Sequence, residues 1–343
     1  MSVEPTAGAT GDEAVPETGA LTGDVAVVSG GVGAARFLRG LRLVVPAEQI
    51  VAVVNTGDDT VLHGLSISPD LDTITYTLAD AIDPERGWGL RDESWRAMGA
   101  LGRYQGVRPD GSVAAAAWFN LGDHDLATHF YRTARLAEGA TLSAVTDEIR
   151  RAWELPIRIV PMTDDRLSTM VSVTEPGADQ PVEVSFQDYF VRLRHAVPVH
   201  EVRFDGEARL SAQARSSMSD AEVIVIAPSN PLVSIGPIRH LPGVDDLLAA
   251  RRESVVAVSP IVGGAALKGP ADRMLVELGF EASVVGVARL YAPIASTLVI
   301  DPADEHLAPE VEAAGMRCVV TPSIMSTPDI AASLAQATLD AAR

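Results

Sequence analysis

Val25-Ala-Val-Val-Ser-Gly-Gly-Val-Gly-Ala-Ala-Arg-Phe-Leu-Arg39 is a buried-strand pattern that runs straight into a glycine turn and an apolar helix start. Such a junction aims backbone N–H groups and a helix N-terminus at an anion, usually a phosphate. The match to the dinucleotide fingerprint is incomplete, because Arg36 stands where a third glycine would pack helix on strand. A nicotinamide site also wants an acid near the end of the second strand, whereas Ile50–Val54 runs into Asn55-Thr-Gly-Asp-Asp59. The stretch therefore predicts a phosphorylated ligand other than an ordinary nicotinamide dinucleotide. The bland alternative is a glycine turn that only shapes the chain.

Working outward, strand-like runs occupy 25–28 and 50–54, with a helix over 33–43 between them. A second group lies at 222–227, 254–258, 283–287, 297–300 and 317–320, separated by helical stretches at 244–250, 270–278 and 309–314. Short Val/Ile runs alternating with helices imply an α/β fold, a doubly wound, mostly parallel, Rossmann-like sheet. Ligands of such sheets sit beyond the carboxyl ends of the strands, where the polar loops after them would converge. Residues 66–154 read as a mainly helical insertion capping that cleft, and 169–190 as a β-hairpin edging the sheet. Residues 1–23 are acidic and nearly without large apolar side chains, so a disordered tail is expected ahead of a single domain over 24–343.

Composition narrows the function. A formal net charge of −19 over 343 residues argues against nucleic-acid binding and against anionic membranes, so an anionic substrate must be drawn by local donors. No apolar run reaches membrane-span length and no signal peptide is evident, which predicts a cytoplasmic protein. The single cysteine, Cys318, forbids an internal disulfide and sits in an apolar run as a core residue would. Lys268 is the only lysine, a bias that a GC-rich genome produces.

Four carboxylates, Asp58, Asp59, Asp70 and Asp72, fall in two loops beside the glycine turn. Carboxylates next to a phosphate cradle are the usual way to hold magnesium, which needs one or two protein oxygens and keeps several waters. Asp70 and Asp72, two apart, would share a face on an extended backbone. Turn and cap roles are the structural alternative for each acid. Leu121-Gly-Asp-His-Asp-Leu-Ala-Thr-His129 gathers two acids and two histidines at a helix start, but His124 and His129 are five apart and miss one helical face, which speaks against zinc. The 228–237 loop offers Ser229, Asn230 and Ser234, and the 259–270 loop offers Gly263, Gly264 and Lys268. His63, His195, His200, His240 and His306 stand alone and read as surface or core-edge residues.

Seven segments together resemble the 2-phospho-L-lactate transferases: 29–33, 54–59, 68–73, 121–129, Pro161-Met-Thr-Asp-Asp165, Pro228-Ser-Asn-Pro-Leu-Val-Ser-Ile-Gly-Pro-Ile238 and Ser259-Pro-Ile-Val-Gly-Gly264. The resemblance implies a step of coenzyme F-420 biosynthesis, assisted by Mg²⁺. A guanosine diphosphate adduct of a three-carbon acid would give its phospho-acid half to the ribityl 5′-hydroxyl of Fo, the deazariboflavin precursor, releasing GMP. It places Fo contacts on Asp72 and on position 124, where the family has lysine or arginine and this chain has His124. With the cleft reading it assigns Gly30, Gly31, Gly33, Asn55, Ser229, Asn230, Ser234, Gly263 and Gly264 to substrate binding. Asp72 is expected as base and Asp58 as metal ligand, with the two roles interchangeable, so both acids stand as catalytic and metal-ligating candidates. Actinobacterial members carry phosphoenolpyruvate on the donor, and the composition points the same way. A homodimer is plausible. The alternative is a nucleotide-sugar-binding regulatory protein of the gluconeogenesis-factor type, which would bind without turnover.

Overall fold

The computed structural model describes residues 23–116 and 118–342. The expected tail over 1–23 therefore lies outside the described residues except for Gly23. Chain order begins with β1 (Val25–Ser29), α1 (Gly31–Leu41) and β2 (Ile50–Val54), then a small hairpin of β3 (Thr60–Leu62) and β4 (Leu65–Ile67). Four helices follow: α2 (Pro69–Leu78), α3 (Arg96–Leu101), α4 (Asp125–Ala137) and α5 (Leu142–Ala152). Next come β5 (Arg158–Pro161), β6 (Ser168–Val173), β7 (Val182–Ser185), β8 (Val199–Asp205), α6 (Ala212–Asp220) and β9 (Val223–Ile226). The remainder runs through α7 (Gly236–His240), α8 (Val244–Ala250), β10 (Val255–Val258), β11 (Ile261–Val262), β12 (Ala265–Ala266), α9 (Ala271–Glu277) and α10 (Val284–Tyr291). It closes with β13 (Thr297–Ile300), α11 (Ala308–Ala313), β14 (Arg317–Val320) and α12 (Pro328–Asp340).

Seven strands form one parallel sheet in the order β14-β13-β10-β9-β1-β2-β5. The order reverses direction between β1 and β9, so the crevice beyond their carboxyl ends is the natural ligand site. Alternate residues of each strand feed opposite layers. Val25, Val27, Ile50, Ala52, Val223 and Val225 pack with Phe37, Leu38 and Leu41 of α1 and Leu334 and Leu339 of α12. Ala26, Val28, Val51, Val53, Ile224 and Ile226 pack with Met218, Leu248, Val287 and Tyr291 on the other face. This is the expected doubly wound α/β sheet. Helices α1 and α12 touch so closely that a methyl on Gly40 would stand 2.3 Å from the Ala331 carbonyl carbon.

Several expectations need correction. The run 283–287 is the start of helix α10, not a strand. Ser283 caps it, its Oγ accepting from the N–H groups of Val285 and Gly286 at 3.1 Å each, and the apolar pattern continues to Tyr291 at helical spacing. The seventh strand is β5, a short edge strand whose flanking prolines hid it; Pro161 is tolerated there because an edge strand has one unpaired side. The hairpin β6/β7 does not edge the main sheet, because β5 already covers β2. With β8 it forms a separate antiparallel sheet in the order β7-β6-β8, over its own core of Val171, Val173, Tyr189 and Val199. Within the stretch read as an insertion, α2 is part of the body, since Leu71, Ile74 and Leu78 pack on α1 and β2. Cys318 is half-buried against the core. No helix among the described residues is long and apolar enough to cross a membrane.

Candidate active site

The glycine turn is held from three sides. Gly30 is extended, and Gly31 opens α1 at φ +67°, a conformation that L side chains rarely adopt. Helix α1 starts there, two residues earlier than the apolar pattern suggested, with no acid in its first turn to satisfy its N–H groups. Ser229 Oγ donates to the Gly30 carbonyl at 2.7 Å. Gly33 lies under the Pro228 carbonyl, where a Cβ would come within 2.0 Å of the oxygen. Close approach of the loop after β9 therefore requires glycine at this position. Ser234 also packs on Gly30, while Asn230 turns its amide oxygen into its own loop, accepting from Leu232 N at 2.9 Å.

Beside the turn sits a group of buried acids. Asn55 Nδ2 donates to both Asp58 Oδ1 at 3.2 Å and Asp70 Oδ2 at 3.0 Å, while its Oδ1 accepts from Gly57 N at 2.8 Å. Gln187, delivered by the small sheet, donates to Asp58 Oδ2 at 3.2 Å. Ser68 Oγ donates to Asp59 Oδ2 at 2.6 Å. Asp59 Oδ1 and Thr56 Oγ1 are shut off from solvent with no partner. Burial pushes the Asp70 carboxyl up to about 6, against the opposing pull of Asn55 and the Gly31 N–H. Burial, and then the charges of Asp70 and Asp59, push Asp58 well above the usual carboxylate range. Asp59 rises as well through burial, with the Ser68 hydroxyl pulling the other way.

These raised values predict an unusual pH dependence of stability. A carboxyl raised in the folded state stabilises the fold below its ordinary value near 3.8, and that contribution is lost as pH rises through about 6. For Asp70 alone the loss is on the order of 3 kcal/mol. The chain should thus melt higher at about pH 5 than at about pH 7.5. Scanning calorimetry in chelator checks this. A melting point that only falls on acidification would contradict it.

Asp72 points elsewhere. The segment 69–78 is helix α2, so two residues turn the side chain by about 200° and separate Asp72 from Asp70. The shared face expected for an extended backbone is therefore absent. Asp72 meets α4 instead. Arg132 Nη1 donates to Asp72 Oδ2 at 3.1 Å and Nη2 makes a short bond to Oδ1. His129 Nδ1 stands 3.8 Å from Asp72 Oδ2, and its Nε2 stands 3.2 Å from Asp125 Oδ2 without hydrogen-bond alignment. Tyr76 OH donates to Asp125 Oδ1 at 2.6 Å. Asp72, Asp125 and His129 each place one possible metal-ligand atom within 4.8 Å of the others, but the guanidinium of Arg132 already engages Asp72.

The turn into α4 is capped by exchange. Glu93 accepts from the backbone N–H groups of His124 and Asp125 at 2.8 Å each, and Asp123 accepts from Ala97 N at 3.0 Å and Arg96 N at 3.1 Å at the start of α3. The imidazole of His124 is left exposed.

The family 2-phospho-L-lactate transferase CofD matches residues 25–321. The chain belongs to this family. The transferase is 40% identical over 333 residues to the phosphoenolpyruvate transferase of Mycobacterium tuberculosis (strain H37Rv), covering 93% of this chain and 98% of the relative. It is 40% identical over 319 residues to that of Kitasatospora aureofaciens, covering 92% and 96%. Its fold is similar to protein BH3568 of Bacillus halodurans, a member of the upf0052 family, with TM-score 0.56 and 14% identity over 94% of this chain and 100% of that one. The regulatory alternative is not favoured by these matches.

In the transferase, Gly30, Gly31, Gly33, Asn55, Asp58, Ser229 and Ser234 come together as expected of one cleft. Gly263 and Gly264 form the tight turn between β11 and β12, at φ +59° and +77°, with Gly263 N donating to Asp304 at 2.8 Å. Among the described residues, neither they nor His124 hydrogen-bond to Asp58, Asp59, Asp70 or Asp72. Lys268, further along that hairpin, reaches Gly87. Sequence reasoning weighed Asp70 and His129 without choosing them, and missed Arg132, Tyr76 and Gln187. The spacing of Asp125, His129 and Arg132 (i, i+4, i+7) puts them on one stripe of α4, a signal that was present.

Proposed function

We propose that this transferase moves a phosphoenolpyruvate moiety from enolpyruvoyl-diphospho-guanosine to the ribityl 5′-hydroxyl of Fo, giving dehydro-F-420-0 and GMP. Lactyl-diphospho-guanosine, giving F-420-0, is the competing donor. The observation that carries the reading is the Asp58–Asn55–Asp70 bridge set against an anion-binding glycine turn. The three-carbon acid rests on the relatives' names.

Transfer at a diphosphate is mainly positioning and charge neutralisation. Beyond the Gly31 N–H, which Asp70 takes, the α1 N-terminus offers backbone N–H groups to the diphosphate. Asp58 and Asp70 fit Mg²⁺: both are buried oxygen donors held by amide N–H groups alone, and the orphaned Asp59 Oδ1 and Thr56 Oγ1 lie in the same loop. Bound there, the ion would neutralise charge on the bridging phosphates. Asp72, fixed by Arg132, is an acceptor suited to orienting the incoming hydroxyl. Asp59, with its free buried oxygen, is the carboxylate placed to take the proton as the oxygen attacks phosphorus and the bond to GMP breaks. This moves the metal role from the expected Asp58/Asp72 pair to Asp58 and Asp70.

Mass analysis of the product formed from Fo with each donor tests the reading. Dehydro-F-420-0 from the enolpyruvoyl donor is expected, with EDTA abolishing turnover and magnesium restoring it. Exclusive use of the lactyl donor would reassign the acid, and full activity in EDTA would remove the metal.

A further inference from the structure

Asp58, Asp59, Asp70 and Asp72 lie beside the glycine turn, and among the described residues Arg132 is the one arginine or lysine bonded to any of them. Its side chain is 2% exposed. Besides Asp72, Nη1 reaches the Ser66 carbonyl at 3.4 Å and stands 3.3 Å from His129 Nδ1. A guanidinium keeps its charge at any working pH, and its planar fork matches both carboxylate oxygens at once. A dication entering between Asp72, Asp125 and His129 would therefore have to displace a buried, bidentate cation. No such competitor guards Asp58 and Asp70, whose side chains receive only neutral donors, the Asn55 and Gln187 amides and the Gly31 N–H. Asp59 Oδ1 receives none.

We propose that Arg132 is a positioning residue acting through Asp72: it fills the Asp72–Asp125–His129 triad as a built-in cation and so directs a divalent metal to Asp58 and Asp70. The metal requirement comes from the transferase reading, but Arg132's effect is read on metal binding itself. Removing Arg132 converts the triad into a second metal site. Lysine at 132 keeps the charge and keeps the triad closed.

Calorimetric titration of the metal-free full chain with Mn²⁺ tests this. One Mn²⁺ per chain is expected in the wild type. Asp72→Asn should keep that stoichiometry with a Kd within about threefold, while Asp70→Asn weakens binding at least about tenfold. Arg132→Met should bind a second Mn²⁺, lost again in Arg132→Met/His129→Ala, and Arg132→Lys should bind one. Loss of Mn²⁺ in Asp72→Asn to the extent seen in Asp70→Asn overturns the proposal. So does a folded Arg132→Met that binds one ion at the wild-type Kd. Should Arg132→Met fail to fold, judged by circular dichroism, the Asp72→Asn and Asp70→Asn pair decides. Transfer to Fo is assayed alongside: an active wild type with a failed Mn²⁺ pattern sinks this inference alone, and an inactive wild type with the expected pattern sinks the transferase reading alone.

Discussion

Asp70→Asn should cost at least about two orders of magnitude in turnover and yet raise the melting temperature of the metal-free protein. Asp70 is 8% exposed and lies beside Asp58, with Asn55 spanning the two carboxyls and no cation bonded to either. Two buried like charges destabilise the fold unless one takes up a proton. An amide at position 70 removes one charge and keeps the shape and one acceptor oxygen. Relief of even about 2 kcal/mol would raise the melting temperature by several degrees in a domain of this size. Activity should fall because the proposed metal would lose a ligand. Stability and activity moving in opposite directions is the signature of a functional acid pair. If Asp70→Asn melted lower and still turned over at the wild-type rate, the pair would be structural.

Gly33→Ala should be the most damaging single methyl added in the first helix. The new Cβ would meet the Pro228 oxygen at 2.0 Å, and that carbonyl belongs to a backbone pinned by the Ser229–Gly30 hydrogen bond. Backbone cannot retreat as a flexible side chain can, so the cost should reach about 3 kcal/mol or more. The melting temperature should drop by about 5 °C or more, with transfer nearly lost because the loops after β1 and β9 no longer close. Gly99→Ala is the control. It lies in helix α3 with nothing within 4 Å, so alanine should be neutral or mildly stabilising. Equal melting temperatures for the two variants would disprove the close-approach argument.

The architecture was legible wherever hydrophobic period and turn chemistry agreed. Runs 25–28, 50–54, 297–300 and 317–320 are short, mostly apolar and Val-containing stretches between turns, and each is a strand. At 283–287 the same composition is helical, because Ser283 offers a cap and Tyr291 completes the buried face two turns on. Short apolar runs cannot be told apart by content alone. The site was legible as a set of loops but not as a set of roles. Spacing in sequence put Asp70 and Asp72 on one face, whereas Pro69 at the first helical position starts α2 and sends them apart. Arg132 was invisible for another reason. Its meaning lies in a partner sixty positions away, and nothing local marks an arginine as buried.

The clasp between α1 and α12 has a consequence for the order of events in a cell. The helix that presents the glycine turn is covered by Leu334, Ala335 and Leu339, from a segment translated almost three hundred residues after the turn itself. Until α12 emerges from the ribosome, the outer face of Phe37, Leu38 and Leu41 is bare, and the site cannot be seated in its final position. Nascent chains stalled before residue 328 should accordingly be cut within 31–41 by added protease, while full-length chains resist. The glycine turn is thus seated only after a segment made almost three hundred residues later has docked, although its own residues are among the first of the fold to be made.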